Sequence, residues 1–571
     1  MPKAKKSSGF SAPSFPARLL PPLFLLVPVL FFTGTRDPFF IKETLAQSVL
    51  VFLTLFWAAR AVSGAAFNFR NYPLLIPLLC YLGAQLLSMK NAVHPAMALQ
   101  NAAWQALLIG LYVSAIDFAD ESVRKNIRTA LLWTSVAAGV YGALQRFGLD
   151  FIQWGVTWSD RPASTFGNPN FAAGWWILIL PIFAADVIKG ERRWGAVFVV
   201  ALGILNLYWG RTLGAWAALA VAAAIAAGVW LGEKKLNIRK IVSLPLLIVL
   251  GAGAFGAAFL ASAQRMPGHQ SIQERILKWR TAAKMISDHP MLGLGAGNVK
   301  VHFALYQADV SRAMNRSLIG TSESNVHNEF LQVAAETGLI GLAAFLSIFA
   351  LWIYRRMKDD RFESEDAGRL AAVLAFLFYS LTNFPFRITP NACLLIYLLA
   401  GSEKRNEYSF GGTASERPDE PRTPLRYAAI ALIGAAIFWT WILPPFRAEQ
   451  IWDRAEELKA RNDFAGAAAQ YERVIALDFY RSERAAYELG ECRRALRDLP
   501  GALEAYQIAV KLRNYGEVYN NIGNCYYLLG RFSDAKTNWQ KAVDLKLPDP
   551  QAQSQTIENI RTIERLHPEK I

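Results

Sequence analysis

Residues 326–342 of the chain, VHNEFLQVAAETGLIGL, combine side chains that can do acid–base chemistry with the start of a long apolar segment. His327 is followed directly by Asn328, and Gln332 and Glu336 come four and eight residues after Asn328. Residues four apart lie above one another on an α-helix, so these three polar side chains are predicted to share one stripe. The outer end of a membrane helix would then carry an imidazole, two amides and a carboxylate.

The start of this helix has its own chemistry. Ser324 or Asn325 can cap it, which would place His327 in the first turn. A helix N-terminus favours anions and tends to hold a nearby histidine neutral, so His327 would be available as a base. The alternative interpretation is a capped membrane helix whose histidine lies at the interface without a catalytic role.

Three arginines stand out because each lies where a cation is costly or unexplained. Arg161 opens the turn-rich stretch RPASTFGNPN, in which Asn168 or Asn170 can cap the next helix. Arg211, in LNLYWGRTLGAWAAL, interrupts apolar sequence at a membrane edge, where a charge usually faces a wet cavity and an anion. Arg275 lies beside an apolar helix face, where an interfacial cation is the simpler alternative. Arg387, in TNFPFRITP, is explained by anchoring at the interface.

The segment 263–329 is the longest predicted loop of the apolar part of the chain. Apolar residues recur in it at intervals of three and four from Ile272 to Ile286, which predicts a helix that ends before Pro290. Arg280 lies further round this helix than Arg275 does. The following PMLGLGAGN is a glycine-rich turn that is too weak a pattern for a phosphate loop.

Composition requires elements that lie in a membrane. The chain has 571 residues, 53% of them hydrophobic, and many of its windows are long enough to cross the hydrocarbon core and nearly free of charge. The sequence predicts an all-α, polytopic bundle of about 12–13 spans, near 16–34, 43–62, 72–89, 96–117, 127–146, 170–188, 194–209, 212–231, 240–262, 330–354, 368–385, 388–401 and 426–443.

The distribution of basic residues predicts the topology. The net charge is +15, but the basic residues concentrate in short loops such as KGERRW and YRRMKDDR, so a nucleic-acid partner is not expected. These loops fall on one side if the spans alternate, and the positive-inside rule makes that side cytoplasmic. The predicted organisation is a basic cytoplasmic N-terminus (1–15), a membrane domain (16–401) with an outward loop (263–329), a cytoplasmic linker (402–425), a last span (426–443) and an exported C-terminal domain (446–571).

The C-terminal 120 residues or so contain a repeat. Gly490 and Gly523 are 33 residues apart, and Ala455 precedes Gly490 by 35, with small residues where paired helices must approach closely. This pattern resembles an α-solenoid of tetratricopeptide repeats, which usually binds a protein partner, although a cap that only steadies the membrane domain is equally compatible. Cys492 and Cys525 show no metal-ligand spacing, and whether they pair as a disulfide is open.

The arginines and the histidine together suggest an anionic, lipid-linked substrate. Guanidinium groups match phosphate oxygens and stay charged, so Arg161, Arg211 and Arg275 can hold a pyrophosphate without a metal or other cofactor. His327 can then take the proton of an attacking sugar hydroxyl or contact the phosphate.

At these motifs the chain resembles the O-antigen ligase and polymerase superfamily. The resemblance rests on RPASTFGNPN, WGRTLGAW, RILKWRTAAKMISDHPMLGLGAGN and HNEFLQVAAETGLIGL, and it covers about residues 20–400. It implies a bacterial inner-membrane enzyme that takes a glycan from undecaprenyl pyrophosphate on the periplasmic side. It further implies that Arg211, Arg275 and His327 are catalytic, and that substrate is contacted by Arg161, Asn170, Arg280, Asn328 and Glu336.

The acceptor stays open at this point. Lipid A core would make the protein a ligase, another glycan would make it a polymerase, and a protein hydroxyl would make it an O-oligosaccharyltransferase. Two alternatives that are not enzymes are a polysaccharide transporter and an assembly scaffold. A transporter predicts charges in the middle of several spans, whereas here they cluster at one edge, and a scaffold leaves the four motifs unexplained.

Overall fold

The computed structural model describes residues 14–62, 71–152, 154, 161–190, 192–231, 270–314, 325–358, 363–401 and 424–570. Within these ranges the extended regular elements are α-helices, as the sequence predicts. In chain order they are α1 (Phe15–Leu26), α2 (Phe40–Val62), α3 (Leu75–Ser88), α4 (Pro95–Phe118), α5 (Glu121–Arg146), α6 (Pro169–Lys189), α7 (Arg193–Trp209), α8 (Leu213–Leu231), α9 (Gln270–Asp288), α10 (Val299–Ala313), α11 (Glu329–Met357), α12 (Ser364–Tyr379), α13 (Thr389–Gly401), α14 (Pro424–Ile437), α15 (Leu443–Ala460), α16 (Phe464–Leu477), α17 (Glu483–Ala495), α18 (Leu499–Leu512), α19 (Gly516–Leu528), α20 (Phe532–Leu545) and α21 (Pro550–Leu566).

Six helices in the described part of the chain are long and apolar enough to cross a membrane: Phe40–Val62, Pro95–Phe118, Glu121–Arg146, Pro169–Lys189, Glu329–Met357 and Leu425–Ala460. Four further apolar helices are shorter: Phe15–Leu26, Arg193–Trp209, Leu213–Ala226 and Thr389–Gly401. The chain is therefore a multi-pass membrane protein, while the larger number of 12–13 spans stays a prediction. The predicted span 240–262 lies outside the described residues.

Helix α6 forms the centre of the bundle. It is apolar all round, and its side chains from Trp175 to Ile179 have no exposed surface, as expected for a helix surrounded by others. Asn168 caps it by accepting the backbone N–H of Asn170 at 2.8 Å, so one of the two predicted caps is observed. The helix packs against α7 and α12, which fixes the turn before it beside the end of α12.

Helices α9 and α10 lie next to the start of α11 and share a small core with it. This core contains Ala282, Met285, Leu294, Phe303 and Ala335. Helix α9 ends at Asp288, before Pro290, as its apolar spacing predicts. Because α9 packs directly on α11, its residues Arg275 and Trp279 reach the segment that contains His327.

Helix α11 is broken at Gly338, whose φ of 69° and ψ of −173° are not helical. The break frees the carbonyls of Ala335 and Glu336, which accept the N–H groups of Leu294 and Gly295, each at 2.9 Å. The glycine-rich turn after α9 therefore docks into the kink and satisfies backbone groups that the helix leaves open. The polar start of α11, up to Gly338, becomes a short separate helix at the mouth of the bundle.

The C-terminal helices pack in sequential pairs, α15 with α16, α17 with α18, and α19 with α20. Ala304 and Ala308 of α10 join the core of this region, so it packs on α10. Cys492 and Cys525 are buried free thiols. The assignment of these pairs as tetratricopeptide repeats stays a prediction.

Candidate functional site

His327 precedes α11 and does not lie in its first turn. Asn328 caps the helix, because its side-chain oxygen accepts the N–H of Leu331 at 3.0 Å, so the predicted cap at Asn325 is wrong and Ser324 lies outside the described residues. His327 itself adopts a left-handed conformation with φ of 54°. This is an unusual conformation for a non-glycine residue, and it is found most often where a side chain must be aimed away from the regular path of the chain.

The imidazole of His327 is held between α9 and the segment that follows α12. The indole N–H of Trp279 donates to the His327 carbonyl at 3.4 Å, and the ring of Phe384 meets the imidazole edge-on with 5.1 Å between ring centroids. The Nδ1 atom is buried and has no hydrogen-bond partner among the described residues. One ring nitrogen therefore has unused hydrogen-bonding capacity within the described part of the chain.

Electrostatics keep this imidazole neutral. Burial, followed by the positive charges of Lys278 and Arg275, lowers the pKa of His327 from 6.5 to about 3. Each of these causes penalises the protonated form, burial by removing water and the cations by repulsion. At neutral pH the site therefore consists of an uncharged imidazole beside two cations.

Arg275 and Arg161 lie close enough for their charges to interact. Burial lowers the pKa of the Arg275 guanidinium, Arg161 lowers it further, and Tyr379 raises it. Arg161 donates from Nε to the carbonyl of Gly210 at 2.9 Å, and the Tyr379 hydroxyl donates to the carbonyl of Asn170 at 3.0 Å. The structure thus brings Arg161, Arg275 and His327 to one place and sets the backbone of Asn170 beside them.

Arg211 is connected to this group through the chain. It follows Gly210, which accepts the Arg161 guanidinium, and its own backbone is left-handed with φ of 49°. Its side chain is exposed, and the hydroxyl of the neighbouring Thr212 is buried without a hydrogen-bond partner in the described part of the chain. In the turn at 210–212 the side chain of Arg211 is therefore exposed, while Arg161 donates to the backbone carbonyl of Gly210.

Arg280 and Asn328 are placed differently from the other predicted residues. Arg280 is exposed and lies about 140° round α9 from Arg275, since five residues at about 100° each separate them. The amide of Asn328 is occupied at both ends, because its nitrogen donates to the Leu381 carbonyl at 2.9 Å while its oxygen caps α11. Direct contacts of Arg280 and Asn328 with substrate stay predictions.

Glu336 belongs to a buried ion network. Its two oxygens accept from Gln332 at 2.7 Å and from Arg387 at 2.9 Å, and Arg387 lies 3.3 Å from Glu329 as well. The side-chain oxygen Oε1 of Gln332 accepts the backbone N–H of Val326 at 2.8 Å, which ties the network to the residue before His327. Arg387 is therefore more than the interfacial anchor expected from sequence.

A cavity of about 310 Å³ adjoins this network. Its described lining includes Glu329, Glu336 and Arg387, but it does not include His327, Arg275 or the other predicted arginines. The start of α11 thus separates two environments, one with cations around an imidazole and one with balanced charges at the mouth of a cavity.

Sequence reasoning missed Lys278 and Tyr379, and it missed the pairing of Glu329 with Arg387, which it had interpreted only as an interfacial anchor. Lys278 lies three residues after Arg275 and is only 5% exposed, so its spacing on α9 could have revealed it. Tyr379 ends α12, and the pair of Glu329 and Arg387 joins residues 58 apart in sequence. A long-range pair of this kind gives no local signal.

The arrangement is suited to binding an anion beside a proton acceptor. Guanidinium and ammonium groups in a partly buried site stabilise phosphate charge strongly. Among the residues that the structure describes, no group of three or more His, Cys, Asp or Glu side chains is placed to hold a metal ion.

A family model described as O-antigen ligase matches residues 198–346, which contain Arg211, Arg275, His327 and Glu336. No curated protein matches the chain. The matched part carries most of the predicted site, and its similarity supports the resemblance to the O-antigen ligase superfamily and points to a glycosyltransferase-like enzyme.

Proposed function

We propose that the protein transfers a glycan from an undecaprenyl-pyrophosphate-linked donor to an acceptor hydroxyl, without a metal, at the periplasmic face of the bacterial inner membrane. The observation that carries the proposal is the neutral imidazole of His327 beside the cations Arg275 and Lys278. A diphosphate suits the cations, and the imidazole nitrogen that has no partner among the described residues could accept a hydroxyl proton if the site opens to the acceptor.

The proposed reaction is a substitution at the sugar carbon that carries the pyrophosphate. The acceptor oxygen forms a bond to this carbon, the bond between the carbon and the phosphate oxygen breaks, and the electron pair leaves with the lipid pyrophosphate. Arg275, Lys278 and Arg161 stabilise the charge that develops on the leaving group. The hydroxyl proton passes to His327, whose neutral form can accept it.

Donor binding makes His327 a better base. With a pKa of about 3 His327 is a weak base, because burial and then the charges of Lys278 and Arg275 lower this value. A bound diphosphate offsets these charges, so the pKa of His327 rises by the part that they cause. The pKa then moves closer to the operating pH, where a general base is most effective.

The acceptor hydroxyl can belong to one of three kinds of molecule. A ligase-type acceptor is the first candidate, since the matched family is described as O-antigen ligase. A second glycan chain or a protein hydroxyl are the alternatives, and the C-terminal helices could hold either of them. Glycan analysis of a deletion strain separates the three, because it would show lost surface polysaccharide, shortened chains or unglycosylated proteins.

The test of the chemistry uses purified protein, a defined lipid-linked donor and three variants. Arg275→Ala should lower kcat/KM by about 10²–10³-fold, as for other charge-stabilising groups, and His327→Ala should lower it by about 10²–10⁴-fold. Lys284→Ala is the matched control, since Lys284 lies on the same helix, is half exposed and pairs with Asp288 at 2.6 Å.

The measurement includes the amount of inserted protein, so that loss of activity is separated from loss of fold. Full transfer by Arg275→Ala or by His327→Ala would overturn the proposal. A chelator should change the rate little, and a strict requirement for a divalent cation would contradict transfer without a metal.

A further inference from the structure

We propose that the cavity beside the Glu329–Arg387–Glu336 network is a second binding site, which takes the uncharged saccharide end of a molecule carried on an apolar chain. It differs in position and in charge from the cationic site at His327. If the protein transfers a glycan as proposed above, the molecule bound in this cavity is the acceptor; this identification rests on the proposed function.

The cavity has a polar end and an apolar end. Its polar end is lined by five carboxamides: Gln47, Gln85, Gln100, Asn101 and Gln105. Its apolar part is lined by side chains of α3, α4, α11 and α13, among them Leu78, Leu108, Ile348, Phe349, Ile396 and Leu399. Helix α13 runs from Thr389 to Leu399 along it, a rise of about 15 Å, so the cavity extends well into the bundle.

The charges at the polar end are balanced. Three carboxylates (Glu43, Glu329 and Glu336) and three cations (Lys300, Arg387 and Arg481) line it. They also pair with one another, since Arg481 lies 2.6 Å from Glu43 and Arg387 lies 2.9 Å from Glu336. A phosphate would meet no excess of positive charge here, whereas at His327 it meets several cations.

Three residues of the cavity lining, Gln85, Glu329 and Arg387, contain buried polar atoms with unused hydrogen-bonding capacity. Gln85 and Glu329 are 7% and 3% exposed, and the atoms Gln85 Oε1 and Glu329 Oε2 have no hydrogen-bond partner in the described part of the chain. Arg387 Nε also lacks a well-aligned acceptor there, although it lies 3.3 Å from Glu329 Oε1. These atoms have almost no accessible surface as placed, so a small rotation of the Gln85, Glu329 or Arg387 side chain would present them to a ligand that donates to two acceptors and accepts from one donor. Sugar hydroxyls do both.

The C-terminal region closes the polar end. Tyr480 and Arg481, just before α17, line the cavity, and Lys300 of α10 donates to the Tyr480 carbonyl at 2.8 Å and pairs with Glu483 at 3.1 Å. Glu329 is two residues from His327, which is at most about 7 Å along the backbone. The polar end of the cavity therefore lies close to the backbone of His327, on the other side of the start of α11.

The test is photolabelling of the purified protein in nanodiscs. One probe is a decyl maltoside with a diazirine on its chain, and the matched probe has the same chain and a phosphate head. The maltoside probe should label residues of the cavity, and Gln85→Leu should weaken this labelling about tenfold, the loss expected for one buried hydrogen bond. Gln307→Leu removes a buried glutamine outside the described cavity lining and is the control.

Leucine is apolar and close to glutamine in size, so Gln85→Leu should be tolerated at this buried position of α3. The unfolding of both variants is measured in parallel to check this. Equal labelling of the cavity by both probes, or labelling that Gln85→Leu leaves unchanged, would overturn the second site and leave an apolar void that any alkyl chain fills. Competition by maltosides on a polyprenyl chain or on an acyl chain identifies the source of the ligand. The assay needs no transfer activity, so loss of transfer in His327→Ala and labelling of the cavity can succeed or fail separately.

Discussion

Removal of Arg387 should destabilise the protein strongly. Arg387→Met leaves the carboxylates of Glu329 and Glu336, whose side chains are only 4% and 6% exposed, without their shared cation. Breaking a buried ion pair by deleting one partner costs about 3–5 kcal/mol. Gln332 still donates to Glu336, and the Arg387 side chain is 25% exposed, so we expect the lower end, about 3 kcal/mol.

The assay is equilibrium unfolding of the purified protein by SDS in mixed micelles. The combination of Arg387→Met with Glu329→Gln and Glu336→Gln removes the buried charges together and should recover most of the loss. Arg312→Met is the matched control, because Arg312 and its partner Asp309 are 64% and 66% exposed, and such a pair contributes at most about 1 kcal/mol. If Arg387→Met costs no more than this control, or if the combined variant is no more stable than the single one, the network does not hold the start of α11.

The remaining predictions concern His327 and the kink in α11. Between pH 6.5 and about 3 the unfolded chain binds a proton at His327 that the folded protein does not bind, so the free energy of unfolding should fall as the pH falls through this window. His327→Gln should weaken that dependence in unfolding curves at pH 7 and pH 5. Methylene diphosphonate should raise the pKa of His327 in an NMR titration of labelled imidazole, and an unchanged pKa would mean that the anion binds elsewhere. Gly338→Ala should reduce the yield of folded protein, because its Cβ would lie 2.1 Å from the Met291 carbonyl oxygen in a backbone with φ of +69°, whereas Gly83→Ala, which meets nothing within 4 Å, should be neutral by the same measure.

Sequence could predict the parts of the site that have local signals. The spacing of apolar residues fixes α9 and places Arg275 beside its apolar face, and the turn chemistry before α6 identifies its cap. His327 could be recognised as a polar residue at the mouth of an apolar helix. Each of these inferences depends on residues within a few turns of one another.

The errors have physical causes that are not local. The cap at Asn328 competes with several nearby polar residues, and tertiary packing against Leu381 decides between them. The pairing of Arg387 with Glu329 and Glu336 depends on the return of the chain after α12, which periodicity does not encode. Gly338 allows α11 to kink, and the turn after α9 packs against this kink. The sequence shows only a glycine in a long apolar segment.

The cations on the two sides of the start of α11, Arg275 and Lys278 on one and Arg387 on the other, have different surroundings and therefore different effects on a ligand. On one side burial, followed by the charges of Lys278 and Arg275, disfavours the protonated form of His327. On the other side Arg387 pairs with both Glu329 and Glu336, so an anionic ligand would meet no excess of positive charge there. In the proposed mechanism a bound diphosphate offsets the charges of these neighbours, so the imidazole becomes more basic with donor in place, while burial continues to lower its pKa. We therefore expect donor binding to favour proton transfer from the acceptor hydroxyl.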